Sequence, residues 1–209
     1  MILHGYFRSG AAYRTRIALN LKGVAYDQRG VDLREGGQRS AAFLALNPQG
    51  MVPALQTGDV VLTQSPAILE WLEETRPEPP LLPTGATGRA RVRAMAALIG
   101  CDIHPLNNLR VLNAVRGLGA DPSGVDAWAG RWIGAGFEAL EALVARHGDG
   151  WCWGAAPTLA DCYLIPQLYS ARRFNVALDA FPRLLAVETC ALAHPAFAAA
   201  HPDRQPDAD

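Results

Sequence analysis

Tyr6-Phe7-Arg8-Ser9-Gly10-Ala11-Ala12-Tyr13-Arg14-Thr15-Arg16-Ile17-Ala18-Leu19-Asn20-Leu21-Lys22-Gly23 is the stretch on which the reading of this chain turns. Its first part is small and polar, with a hydroxyl at Ser9 and a flexible Gly10 beside it. Its second part sets Ile17, Ala18 and Leu21 on one helical face, and Gly23 is a good C-terminal stop. The run Ile2 to Tyr6 reads as a short strand, so the chain passes from strand through a turn to a helix N-terminus. Free backbone N–H groups and the positive end of the helix dipole favour a negative charge there. A thiolate held at that point, with a hydroxyl donating to it, has its pKa lowered and is available at neutral pH. The nearest cysteine in sequence is Cys101, so a thiolate used here belongs to a ligand.

Outward from this stretch, Val24 to Leu33 reads as a second strand, parallel to the first because a helix intervenes. Ala41 to Leu46 is a short helical turn. Asn47 to Leu55 leads into a strand, and Asp59 to Thr63 returns as its partner across the turn Thr57-Gly58-Asp59. Ser65-Pro66 opens a helix to about Thr75, a serine N-cap with proline at the first helical position. Strand-helix-strand followed by strand-strand-helix is a thioredoxin-like order. Taken alone, Val52-Pro53 is a proline entering an edge strand and Gln64-Ser65 a plain N-cap.

Arg76-Pro77-Glu78-Pro79-Pro80-Leu81-Leu82-Pro83 is too rich in proline for helix or central strand. The expected division is an α/β thioredoxin-like domain over 1–78, a linker over 79–86 and an all-α helical bundle over 87–209. In the helical half, Val92, Ala96, Ile99 and Ile103 share a face, as do Val125, Trp128, Trp132 and Ala135. His104, Asn107 or Asn108, and Arg110 lie within two turns of a polar segment that Pro105 should kink. On residue type alone, His104 is a satisfied buried histidine and Arg110 a dimer-contact charge. Thr158-Leu159-Ala160-Asp161 is a capping signature, which makes Asp161 a cap rather than a catalytic base. Ile165-Pro166-Gln167 should kink the helix that follows.

Bulk properties exclude several classes. Half of the 209 residues are apolar, 19% are charged and the formal net charge is −1, without the basic excess of a nucleic-acid binder. Lys22 is the only lysine. No apolar run approaches the roughly 20 residues of a membrane span. Met1-Ile2-Leu3-His4 begins directly as a strand, without the basic and apolar regions of a signal peptide. Cys101, Cys152, Cys162 and Cys190 lack Cys-x-x-Cys spacing and matching histidines. They read as reduced core cysteines of a cytoplasmic protein, with neither disulfide framework nor metal site.

Phe7-Arg8-Ser9, Arg14-Thr15-Arg16-Ile17-Ala18-Leu19 and Lys22-Gly23 together resemble the signature of zeta-class glutathione transferases, a family that includes maleylacetoacetate and maleylpyruvate isomerases. The family's Arg-Ser-Ser-Cys is here Arg8-Ser9-Gly10-Ala11: the first serine is kept, the second serine and the cysteine are not. The resemblance continues through Val52-Pro53, Gln64-Ser65, the His104 to Arg110 segment, Arg173 before Phe174, and the tail from His201 to Asp207.

It implies the glutathione transferase fold, glutathione as cofactor and a homodimer. It also implies cis–trans isomerisation of a maleyl diketo acid, in which thiolate addition makes the double bond temporarily single. Ser9 and Arg173 are the implied catalytic residues. Glutathione is expected at Ser9, Gly10, Ala11, Val52, Gln64, Ser65, His104 and Asn108. A small dicarboxylate substrate is expected at Arg173, with Arg8 and Arg110 behind it, since a planar guanidinium suits bidentate carboxylate recognition. Two other functions fit the same scaffold: a transferase that conjugates, dehalogenates or reduces other electrophiles, and a thioredoxin-like interaction module without catalysis.

Overall fold

Four strands, β1 (Ile2–Gly5), β2 (Asp27–Gly30), β3 (Ala54–Thr57) and β4 (Val60–Thr63), form one sheet ordered β2-β1-β3-β4 in a computed structural model that describes residues 1–209. β1 pairs in parallel with β2 and antiparallel with β3, and β4 closes the β3 hairpin at the edge. The expected Val24 to Leu33 strand is thus paired over four residues only, because β1 offers only Ile2–Gly5 to pair with.

Between β1 and β2 lies α1 (Gly10–Leu21), which ends at Lys22 and Gly23 as its sequence indicates. α2 (Ala41–Leu46) precedes β3, and α3 (Ser65–Thr75) follows β4. Ser65 does not cap α3: the N-cap position falls on Gln64, whose φ is +67°, and no side chain caps the helix. Ser65 itself is the first residue of the helix, one position past the cap.

The helical half holds α4 (Ala86–Ala97), α5 (Leu109–Gly117), α6 (Pro122–His147), α7 (Leu159–Arg173), α8 (Pro182–Ala193) and α9 (Pro195–Ala200). A π-helical segment Leu98–Ile103 and a 3₁₀ turn His104–Asn107 carry α4 into α5, so the expected kink at Pro105 is a change of helix type. Pro166 sits inside α7 without ending it. The buried face of α6 is Val125, Ala129, Ile133, Phe137, Leu140 and Val144, with Trp128 and Trp132 at its margin and Ala135 exposed. This corrects the face expected from the large residues. Close approach demands a glycine beside that face: a Cβ on Gly136 would lie 2.2 Å from Ile103 Cδ1. Gly136→Ala is therefore expected to cost about 1–3 kcal/mol by overpacking, measured by denaturant unfolding, and Ile103→Val in the same chain should return part of it.

Contacts divide the chain into two compact units, residues 1–80 with 193–209, and residues 81–192. The sequence reading placed 193–209 with the helical half; in the structure the segment joins the first unit through long-range bonds. Arg16 Nε donates to Ala200 O (3.0 Å), Asn20 Nδ2 to Ala196 O (2.9 Å) and the Phe7 N–H to Asp207 Oδ2 (2.9 Å). In the first unit α1 packs against α3 and α9, with Leu3, Ile17, Leu55, Ile68 and Leu72 fully buried. Lys22, wholly buried, donates to Glu73 Oε2 (2.6 Å) and to the carbonyls of Pro77 (3.4 Å) and Pro79 (2.7 Å), which ties the proline-rich connector to α1.

In the second unit α7 packs on α4, and its N-terminus carries a complete capping box. Asp161, fully buried, accepts from the Cys152 N–H (2.8 Å), the Thr158 N–H (2.7 Å) and the Thr158 hydroxyl (2.8 Å). Burial pushes its carboxyl up from the ordinary range, and these donors pull it part of the way back. Cys152 and Cys162 are core residues, but Cys101 and Cys190 are exposed, against the expectation of four core cysteines; all four are free thiols. No helix is long and apolar enough to cross a membrane.

Candidate active site

The chain leaves β1 at Gly5, turns through Tyr6 to Arg8 and enters α1 at Gly10. Ser9 is the N-cap: its backbone is extended, and its Oγ accepts the Ala12 N–H at 3.3 Å. That bond uses a lone pair and leaves the hydroxyl proton for donation elsewhere. Gly10 and Ala11, in the first turn of the helix, are partly exposed. Their backbone N–H groups belong to the orphan donors of a helix start, which with the dipole make a seat for an anion.

Arg8 folds back over its own turn. Its Nη2 donates to the Tyr6 hydroxyl (3.1 Å) and its guanidinium lies 4.9 Å from the Phe7 ring centroid. Tyr6 and Phe7 meet edge to face and join Val31, Phe43, Val52 and Ala54 in one buried cluster. The register His4↔Ala54 places the start of β3 beside the end of β1, so Val52 stands next to this turn. The Val52-Pro53 bond is cis. Val52 precedes the ladder, and its backbone N–H and C=O make no hydrogen bond within the chain, so an extended ligand can pair with them as an added strand.

Two further residues arrive from β4 and α3. Ser65 is buried, and its Oγ accepts from Arg14 Nη1 at 2.9 Å. The hydroxyl proton remains for donation, and the guanidinium adds a positive charge beside the helix start. Gln64 is exposed, and its Nε2 donates to Gln49 Oε1 at 2.6 Å. Arg14 and Gln49 are site neighbours that sequence reasoning missed. The signal for Arg14 was present: a charged residue inside the apolar run of α1 needs a buried polar partner. Gln49 gave no signal, since a glutamine in a loop is unremarkable.

The remaining candidates belong to the second unit. His104 opens the 3₁₀ turn and is partly buried. Asn108 is the N-cap of α5, its Oδ1 accepting the Arg110 N–H (3.2 Å), which leaves its amide N–H groups for a ligand. Its neighbour Asn107 is buried, and its Nδ2 has no hydrogen-bond partner within the chain. Arg110 is exposed in the first turn of α5. At the end of α7, Arg172 is committed to Glu188 by two bonds of 2.6 Å, and Arg173 beside it is exposed.

Residues 8–75 match the family described as "Glutathione S-transferase, N-terminal domain". Over 99% of its length the chain is 56% identical to the maleylacetoacetate isomerase of Pseudomonas aeruginosa, covering 98% of that protein. It is 54% identical to the maleylpyruvate isomerase of a Ralstonia species, covering 99% of each. The holo structure of a maleylpyruvate isomerase described as a bacterial zeta-class glutathione S-transferase superposes over 100% of both chains, with TM-score 0.98 and 53% identity. The chain belongs to the zeta-class glutathione transferases. The thioredoxin-like sheet and helical half are the fold of that class. A maleylacetoacetate isomerase from Anaeromyxobacter dehalogenans, 45% identical with TM-score 0.90 over 100% of this chain and 93% of its own, holds dicarboxyethyl glutathione and citrate in its active site.

Proposed function

We propose that the protein is a glutathione-dependent cis–trans isomerase that converts a maleyl diketo acid, maleylacetoacetate or maleylpyruvate, to its fumaryl isomer. The carrying observation is Ser9, an N-cap that accepts from Ala12 and keeps its own proton for a thiolate at the helix start. Bound glutathione supplies a thiolate that adds to the conjugated double bond, so that rotation and elimination can follow. Ser9 and the α1 N–H groups, including those of Gly10 and Ala11, hold that charge and lower the thiol pKa. Val52 pairs with the peptide part, and Ser65 and Gln64 take the γ-glutamyl end, with Arg14 strengthening the seat. The family resemblance also assigns His104 and Asn108 to glutathione, and Arg173, Arg8 and Arg110 to the substrate carboxylates. The dicarboxyethyl glutathione in the active site of the Anaeromyxobacter relative supports a site that takes glutathione together with carboxylates. A cytoplasmic homodimer completes the proposal, supported by family membership; sedimentation should give twice the 22.4 kDa chain mass.

The test is an absorbance assay of both substrates with and without catalytic glutathione. Turnover is expected only with glutathione. In Ser9→Ala, kcat/KM at neutral pH should fall roughly ten- to a hundredfold, with the profile moved to higher pH. Turnover without glutathione would sink the reading; bound glutathione with no turnover would point to a transferase acting on other electrophiles.

A further inference from the structure

Phe7 lies two residues before Ser9, and both of its backbone groups are held by side chains from elsewhere. Arg16 Nη2, fully buried, donates to Phe7 O at 3.0 Å, while its Nε holds Ala200 O. On the other side the Phe7 N–H donates to Asp207 Oδ2 at 2.9 Å. Asp207 is aimed by its second oxygen, which accepts from Gln28 Nε2 at 2.6 Å on β2. The next residue, Ala208, packs against the cluster that contains Phe7 and Val52. Gly30 leaves the room this needs, since a Cβ there would meet Asp207 Cβ at 2.9 Å. A carboxylate accepting a backbone N–H is a strong, directional bond.

From this we infer that Asp207 is a positioning residue for the isomerisation: it fixes the peptide planes between Phe7 and Ser9, and so the direction of the Ser9 hydroxyl. The inference rests on the reading of Ser9 as the thiolate donor. A hydroxyl displaced by about 1 Å no longer shortens onto the sulfur, and the thiol pKa rises. What is needed at position 207 is an acceptor for the Phe7 N–H. Asparagine provides one, and Gln28, whose Nε2 now donates to Asp207, can turn its amide over to offer the buried, unpartnered Oε1 to the asparagine N–H.

The experiment is a pH titration of the thiolate absorbance of bound glutathione in the full-length protein, with kcat/KM measured across the same range. Asp207→Ala should raise the thiol pKa by about one unit and lower neutral-pH kcat/KM about tenfold, and Asp207→Asn should restore both. Equal impairment in the alanine and asparagine variants overturns the inference, as does an unchanged profile in a folded Asp207→Ala while Ser9→Ala moves it. A Ser9→Ala variant with an unmoved thiol pKa removes the site reading itself, and this inference with it. If Asp207→Ala does not fold, Gly30→Ala carries the test by displacing Asp207 from β2: an alkaline shift supports the positioning role and an unmoved profile ends it.

Discussion

Replacing Arg173 with alanine is expected to lower kcat/KM for the maleyl substrate by about two to three orders of magnitude while leaving glutathione affinity near that of the parent. The expectation rests on the division of labour between two adjacent arginines. Arg172 is bound at both nitrogens to Glu188, a side chain only 11% exposed, and serves to hold α7 to α8. Arg173, one residue on, is exposed, and its proposed role is to receive a substrate carboxylate. Truncating one partner of a hydrogen-bonded charge pair costs roughly 2–5 kcal/mol, which at 1.36 kcal/mol per tenfold spans that range. Because the carboxylate is held in the ground state as well as the transition state, much of the loss should appear in KM. Arg173→Lys keeps the charge without the fork and should recover part of the activity. Arg172→Ala is the control: its half-exposed pair is worth at most about 1 kcal/mol, so stability falls slightly and kcat/KM stays within a few-fold. Steady-state kinetics on the three variants decide it, and an Arg173→Ala enzyme with the parent's kcat/KM would remove this residue from the site.

Glu73→Ala is expected to be among the most damaging substitutions for stability. It leaves the Lys22 ammonium, whose side chain is 0% exposed, with only the Pro77 and Pro79 carbonyls for company. Stranding a buried charge costs about 3–5 kcal/mol, or roughly 10 °C or more in Tm for a chain of this size. Removing both charges is a different matter, because apolar residues of similar volume avoid the desolvation cost. Lys22→Met with Glu73→Met should therefore lie within about 2 kcal/mol of the parent, despite the donor lost to the connector. Thermal unfolding of the single and double variants tests this. A single variant that melts within a few degrees of the parent would mean that water reaches the ammonium.

The order of the first eighty residues is legible because each element carries a local marker: the Gly23 stop, the Gly58 turn, Pro66 at the start of α3. Ser9 is legible for the same reason, since an N-cap is decided within four residues. What the sequence hides is set by partners far away. Ser65 reads as a cap, but it is the first residue of the helix, and its hydroxyl serves Arg14 of α1 instead. The face of α6 reads as tryptophan-lined until the segment at Ile103 demands Gly136 opposite it. The tail at 193–209 reads as part of the helical half, because bonds such as Phe7 to Asp207 span 200 residues and leave no local pattern.

The burial of Lys22 also shapes how the protein meets reagents. It is the only lysine among 19 basic residues, and its amine is wholly enclosed in a salt bridge and carbonyl contacts. Apart from the N-terminal amine, the folded surface therefore draws its lasting positive charge from guanidinium groups, and acylating reagents find no side-chain amine on it. Lys22 becomes reactive only when the junction of α1, α3 and the proline-rich connector opens. Modification of that single amine thus counts opening events at one place in the molecule, with no background from the rest of its side chains.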